Sequence, residues 1–339
     1  MSENTILTVV IPTYNASKTI KKCLNSLKNQ TSGKFQVLII NDGSTDDTVK
    51  KIQQIIDGNN KFTLINKQNS GLSNTRNYGM KFVTTKYVTF IDSDDYVEPE
   101  YVEALIKGVE DGEYDLSIVG YQKERETGEI IFKSLDQGSG TLNKEEAFYQ
   151  LFVSCGFEGY TWNKAYKVSI FQGNSLTFNK EKEPLEDLYF DLEYLKYCKK
   201  ILVNNKNVYH YIVHANSVVN SSNVGKRFDK ERLNSLFILR QMKELIPQQY
   251  NRALDALDAQ VCWTAVSLLR GIYGAPNYKR VEKKVIKVLR CEMKMNRRAF
   301  LKNTILPKRD KVIYWLNWYC PRTFAFLWKK LGLHGNGNV

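Results

Sequence analysis

The sequence predicts an α/β fold: a mixed, mainly parallel sheet flanked by helices, with a helical region appended at its C-terminal end. Three observations predict it. Over roughly the first hundred residues, short apolar runs of strand length alternate with amphipathic helical stretches, the pattern of a parallel sheet covered by helices. Three of these runs end in polar, turn-forming segments: Thr13-Tyr14-Asn15, Asn41-Asp42-Gly43-Ser44 and Asp92-Ser93-Asp94-Asp95. After about Asn223 the character changes to long helical stretches with no strand-like run.

In order, Leu7 to Ile11 reads as a strand ending at Pro12, and Ser17 to Asn29 as a helix with Ile20, Leu24 and Leu27 on one face. Phe35 to Ile40 is a second strand, and Thr45 to Ile56 a helix with Asp46 and Asp47 in its first turn, where the helix dipole favours acids. Phe62 to Ile65, the helix Gly71 to Phe82 and the strand Val88 to Ile91 follow. A helix to Val109, a strand over Leu116 to Tyr121 and a hairpin near Thr127-Gly128 come next. Asn143 to Val153 and Leu185 to Lys199 read as helices, and Lys206 to Val213 as a last strand. Beyond it, Arg227 to Leu245, Asn251 to Leu269 and Lys279 to Arg298 are helical, broken at Gly271 to Pro276 and Asn303 to Pro307. Domain boundaries are expected at residues 110 and 222, giving segments 1–110, 111–222 and 223–339.

The 339 residues suffice for two domains. No run of eighteen apolar residues occurs, and the polar start Met1-Ser2-Glu3-Asn4-Thr5 does not read as a signal peptide. Six scattered cysteines without a Cys-x-x-Cys pair argue for free thiols in a reducing cytoplasm and against a zinc site. The net charge of +13 is local: Lys279 to Lys330 holds sixteen Lys and Arg against three acids, so the rest balances at 33 against 33. A basic tail on a neutral body implies an anionic partner, a lipid surface or a nucleic acid.

The most chemically loaded stretch is Tyr87 to Tyr96, in which an apolar strand runs straight into Asp92, Ser93, Asp94 and Asp95. Carboxylates at the mouth of a core strand repel one another and lose hydration, so they need a compensating cation or hydrogen-bond donors. Magnesium or manganese is the simplest compensator, taking one or two carboxylates and filling its shell with water and phosphate oxygens. An Asp-rich turn capping the next helix, helped by Pro99, is the competing account. In open parallel sheets ligands bind beyond the carboxyl ends of strands, so the three polar loops are expected to line one cleft. Farther on, Glu186-Asp187 opens an amphipathic helix, where the acids suit either a base or the helix dipole.

The segments VVIPTYN, IINDGSTDDT, NSGLSNTRNYGM and FIDSDDYVEP, followed by TWNKAYK, EPLEDLYFDLEYL and YHYIVHANS, resemble family 2 glycosyltransferases of the GT-A fold, of the bacterial surface-polysaccharide type. The similarity spans about residues 6 to 220. It implies a nucleotide-sugar-binding half in 1–110, an acceptor-binding half in 111–222, and inverting transfer from a UDP-sugar to a glycan or lipid-linked acceptor with Mn or Mg as cofactor. By the same resemblance Asp42 accepts from the uracil imide, Pro12, Thr13 and Tyr14 wall the pocket, and Asn69 and Arg76 approach the base and the ribose-phosphate. Asp92 and Ser93 belong to the ribose side, Asp94 holds the metal with His214, Asp187 is the base, and Glu186 supports it. Trp162 offers a flat face to an acceptor sugar, with Asn163 and Lys164 as polar contacts; a core tryptophan is the alternative. His210 is expected to pack.

The tail from Lys311 to Leu331 mixes Trp315, Trp318, Tyr319, Phe324, Phe326 and Trp328 with basic residues, which suits the surface of an anionic membrane. Packing against the catalytic domain or in a homo-oligomer is the alternative, and Pro321 splits the stretch into two helices. The expected location is the cytoplasm, peripheral on the inner face of the cell membrane. A sugar-phosphate nucleotidyltransferase would need a Gly-rich basic loop after the first strand, which Pro12 to Ser17 is not, and no nucleic-acid motif accompanies the basic tail.

Overall fold

The computed structural model of the chain describes residues 5–110, 113–134, 138–153, 156–214 and 227–330. Two compact units result. The first comprises Met1–Ala147, Cys155–Glu181 and Glu186–Val213, and the second Phe148–Ser154, Lys182–Leu185 and His214–Val339. The boundary expected at residue 222 lies in 215–226, outside the described residues. The segments on either side of residue 110 share the first unit and its sheet.

The first unit opens with β1 (Leu7–Thr13), α1 (Ile20–Lys28), β2 (Phe35–Asp42), α2 (Thr48–Ile56), β3 (Phe62–Lys67) and α3 (Leu72–Met80). There follow β4 (Tyr87–Phe90), β5 (Tyr96–Val97), α4 (Tyr101–Ile106), β6 (Leu116–Arg125), β7 (Ile130–Lys133) and β8 (Gly140–Leu142). Helix α5 (Lys144–Gln150), whose residues from Phe148 on belong to the second unit, β9 (Lys164–Lys167), α6 (Val168–Asn174), α7 (Glu186–Leu195) and β10 (Ile201–Val213) complete the series. The sheet runs β3-β2-β1-β4-β9-β6-β10-β5, with β7 on β6 and β8 on β10. Its first four strands are parallel, as is β6 with β10, while β9, β5, β7 and β8 add antiparallel pairs.

Strand β1 is buried at every position because it lies between β2 and β4 with helices on both faces. Its odd residues Leu7, Val9 and Ile11 join a core with Ile20, Leu24 and Leu27 of α1 and Val102 and Leu105 of α4. Its other face receives α3, and there Gly79 sets the approach: a Cβ on it would stand 2.7 Å from Val10 Cγ1 and 3.1 Å from Ile40 Cγ1. Register then levels the polar strand ends, with Thr13 opposite Asn41 and Asp42 opposite Lys67. The strand β9, not expected from the sequence, is hidden there by lysines at both ends. Lys164 is nonetheless fully buried, because Asp191 of α7 meets it at 3.0 Å.

His210 packs as expected, 5% exposed and stacked on Tyr96. Its two ring nitrogens also lie 2.8 Å from Glu98 Oε1 and 2.9 Å from Glu124 Oε2, tying β5 to β6 and β10.

The second unit is helical: α8 (Asn234–Met242), α9 (Asn251–Gly274), α10 (Lys283–Met295), α11 (Arg297–Lys302), α12 (Lys308–Tyr319) and α13 (Pro321–Lys330). Helix α9 runs through Gly271, where the sequence predicts a break, and ends at Gly274; Gly271 is buried in its last turn. Leu257, Val261, Val266, Leu269 and Ile272 of α9 are buried, Trp263 stacks on Phe300 of α11, and Arg270 lies 4.3 Å above Trp328 of α13. Pro321 divides α12 from α13 as expected, occupying the first position of α13, where its missing N–H costs no hydrogen bond. Among the described residues no helix is long and apolar enough to cross a membrane, and five cysteines are free; Cys155 lies outside them.

Gly79→Val should lower stability by about 1–3 kcal/mol through overpacking against Val10 and Ile40. A shift in the urea unfolding midpoint measures it, and an unchanged midpoint would show that α3 can move away from β1.

Candidate active site

Three loops leave the same edge of the sheet, after β1, β2 and β4. The first two are stitched together: Asn15 N donates to Ser44 Oγ at 3.0 Å, and Thr45 N donates to Asn15 Oδ1 at 2.9 Å. Pro12 and Thr13 are buried at the end of β1, whereas Tyr14 is 52% exposed. Asp42 is 4% exposed, and its carboxylate accepts from Ser70 N and Gly71 N, each at 2.9 Å, and pairs with Lys67. Against the cost of burial, Lys67 and these backbone donors hold the Asp42 carboxyl below the usual carboxylate range. The role the structure gives Asp42 is therefore to lock the loop before α3 to the end of β2. Asn69, in that loop, is exposed.

The Asp-rich loop after β4 divides its acids by burial. Asp95 is 1% exposed; it accepts from Tyr209 Oη at 2.6 Å and Ile212 N at 2.7 Å, so it straps the loop to β10. Burial, then Asp94 and Asp92, raise its carboxyl well above the ordinary range. Asp94 is exposed, and Ser93 is half-buried. Asp92 keeps 27% of its side chain in solvent, yet it is pushed up to about 6 by lost hydration and by Asp94 and Asp187, with Arg76 pulling the other way.

Arg76 corrects the sequence-based expectation most. Rather than standing open towards a ribose-phosphate, it is 1% exposed, and its guanidinium joins the loop after β4 to the start of α7. It donates to Asp187 Oδ1 at 2.5 Å and to Asp92 Oδ1 at 3.2 Å, with Glu186 Oε1 at 3.7 Å. Burial opposes its charge, but Asp187, Asp92 and Glu186 together raise its pKa above the ordinary arginine value. Asp187 also accepts from Thr161 Oγ1 at 3.3 Å. The base expected on α7 and the carboxylate expected at the ribose are thus held by one cation.

The acceptor contacts expected from the TWNK segment are overturned. Trp162 is 2% exposed, with Tyr160 at 4.6 Å and Tyr209 at 4.2 Å stacked on it, so no face is left for a sugar. Asn163 is fully buried and donates to Phe157 O at 2.9 Å. Lys164 is spent on Asp191 and on the carbonyl of Glu158 at 2.9 Å. His214 belongs to the second unit, and its expected metal role rests on the resemblance alone. Sequence reasoning missed Tyr209, which also accepts from Asp92 N at 3.3 Å, and Lys67. Lys67 ends β3 and Tyr209 lies inside β10, so neither carries a local signal of the carboxylate it meets.

Asp92 and Asp94 are the carboxylates of this loop that reach solvent, donors of the type a hard divalent cation takes. Among the described residues no group of three His, Cys, Asp or Glu is arranged to hold a metal by itself. Carboxylates at one strand mouth suit magnesium or manganese, which complete their shells with water and substrate phosphate.

The family model for glycosyl transferase family 2 matches residues 8–171. The Bacillus subtilis protein EpsH is 30% identical over 253 residues, 74% of this chain and 71% of EpsH. This chain belongs to glycosyl transferase family 2. Two solved structures share its fold. S. aureus TarS in complex with UDP-GlcNAc superposes with a TM-score of 0.62 at 18% identity, covering 88% of this chain and 91% of that one. The mannosyltransferase PcManGT from Pyrobaculum calidifontis, in complex with GDP-Man and Mn2+, superposes with a TM-score of 0.57 at 14% identity, covering 97% and 89%. Family membership displaces the nucleotidyltransferase alternative.

Arg76→Met should cost about 3–5 kcal/mol, because it leaves Asp92, Glu186 and Asp187 without their shared cation. Urea unfolding monitored by tryptophan fluorescence reads it; a loss below 1 kcal/mol would mean that the carboxylates find other partners.

Proposed function

We propose that this glycosyltransferase moves a sugar from a UDP-sugar, with inversion at the anomeric carbon, to a glycan or lipid-linked acceptor in bacterial cell-surface polysaccharide synthesis. The observation that carries the reading is the Arg76 bridge, which sets Asp187 of α7 beside the Asp-rich loop after β4. A base and a diphosphate-binding carboxylate must flank the same anomeric carbon for in-line displacement. UDP-GlcNAc and GDP-Man in the fold relatives favour a nucleotide-sugar donor.

In this reading Tyr14 and Asn69, exposed at the loop tips, contact the base, with Pro12 and Thr13 behind them and Asp42 shaping the loop. Asp92 and Ser93 take the ribose side, Asp92 leaving Oδ2 for the hydroxyls while Arg76 holds Oδ1. Asp94 is the metal carboxylate. When bound, the divalent ion neutralises the charge that grows on the departing diphosphate. Asp187 accepts the proton of the acceptor hydroxyl as it attacks, and Arg76 and Thr161 fix the direction in which its carboxylate points. Glu186, beside Asp187 on α7 and 3.7 Å from Arg76, supports that base and orients the acceptor.

Release of UDP from UDP-sugars should require Mn or Mg, vanish with EDTA and return on adding metal. Asp94→Asn should remove that metal-dependent release. Asp187→Asn should leave UDP-sugar binding near normal and lower transfer by about 10²–10⁴-fold, the usual contribution of a general base. Circular dichroism checks that both variants stay folded. Near-normal turnover in either variant would take that residue out of the mechanism.

A further inference from the structure

The last two described helices of the second unit each keep an exposed side. On α12, Val312 (57% exposed), Trp315 (36%), Leu316 (39%) and Tyr319 (72%) fall at i, i+3, i+4 and i+7, a single apolar stripe about 100° wide. The opposite side of the helix, Ile313, Tyr314 and Asn317, is buried against the unit. A helix that already has its core face covered has no folding reason for a second apolar stripe. On α13 the exposed Phe326 (65%) shares a side with Arg322, Lys329 and Lys330, while Phe324 and Ala325 are buried. The two helices carry six Lys or Arg, and their single acid, Asp310, is buried.

We propose that these two helices dock on an anionic lipid surface, with the Val312, Trp315, Leu316 and Tyr319 stripe entering the headgroup boundary and the basic side chains on α13 meeting lipid phosphates. Charge decides the occupant. A second copy in a two-fold contact would set six cations against six, which repels. Nucleic acid would satisfy the charge but leave four contiguous apolar side chains without an apolar environment. An acidic membrane satisfies both: aromatic rings sit at the boundary, and basic side chains reach the anionic headgroups. The sequence shows the composition of this segment, and the structure separates the side chains used for packing, such as Tyr314, Phe324 and Trp328, from those left over. The proposal does not depend on the donor or acceptor.

The test is co-sedimentation of the full chain with phosphatidylcholine vesicles with and without phosphatidylglycerol. Binding should require phosphatidylglycerol and weaken in high salt. Trp315→Ser with Leu316→Ser should lower partitioning by about tenfold or more, and Lys329→Ala with Lys330→Ala by about fivefold for each charge removed. All four positions are exposed, and metal-dependent UDP release should be unaffected, which separates failure here from failure of the glycosyltransferase reading. Equal binding to neutral vesicles, or unchanged partitioning of both double variants, would overturn the proposal. So would loss of a dimer in size-exclusion chromatography or of single-stranded DNA binding, with vesicle binding intact.

Discussion

The site depends on one buried cation. Arg76 sits in the core with carboxylates from two distant parts of the chain around its guanidinium, Asp92 from the loop after β4 and Glu186 and Asp187 from the start of α7. Taking an arginine out of water is costly, and only close carboxylates can offset it. Conversely, those carboxylates cannot sit together without the arginine. The mutual requirement fixes the distance between the loop after β4 and the start of α7, and α3 can deliver Arg76 there only because Gly79 lets the helix lie close on β1 and β2.

The acids after β4 show how one short stretch can serve three purposes. Asp95 turns inward and is consumed by Tyr209 and the backbone of Ile212. Asp92 is shared between Arg76 and solvent, and Asp94 faces outward. Direction along the turn produces this division: a bridge at Asp92, an exposed carboxylate at Asp94 and a strap at Asp95 leave the loop on different sides. At the start of α4 the cap position is Glu100, without a side-chain cap, and Asp95 is committed to β10.

The segment from Thr161 to Lys164 is built differently from the three polar loops. Trp162, Asn163 and Lys164 form a buried wall behind Asp187, through Thr161 and the ring stack of Tyr160, Trp162 and Tyr209, instead of a surface in front of it. Their residue types suit sugar binding, but the same types suit a core whose polar groups are paired. Lys164 with Asp191 and Tyr166 is such a paired set.

The sequence by itself determined the strand and helix alternation of the first unit, the polar loops after β1, β2 and β4, the family, the helical nature of the second unit and the local concentration of positive charge. These are read from periodicity, punctuation and composition, which are local. It did not determine β9, whose lysines look exposed until Asp191 is brought beside them, or the length of α9, whose Gly271 is buried in its last turn. Nor did it distinguish an arginine that meets a substrate from one that holds two carboxylates together, since Arg76 and Asp187 are 111 residues apart. Those roles were decided by tertiary structure, because burial and ion pairing depend on which distant segments the sheet brings within a few ångströms of one another.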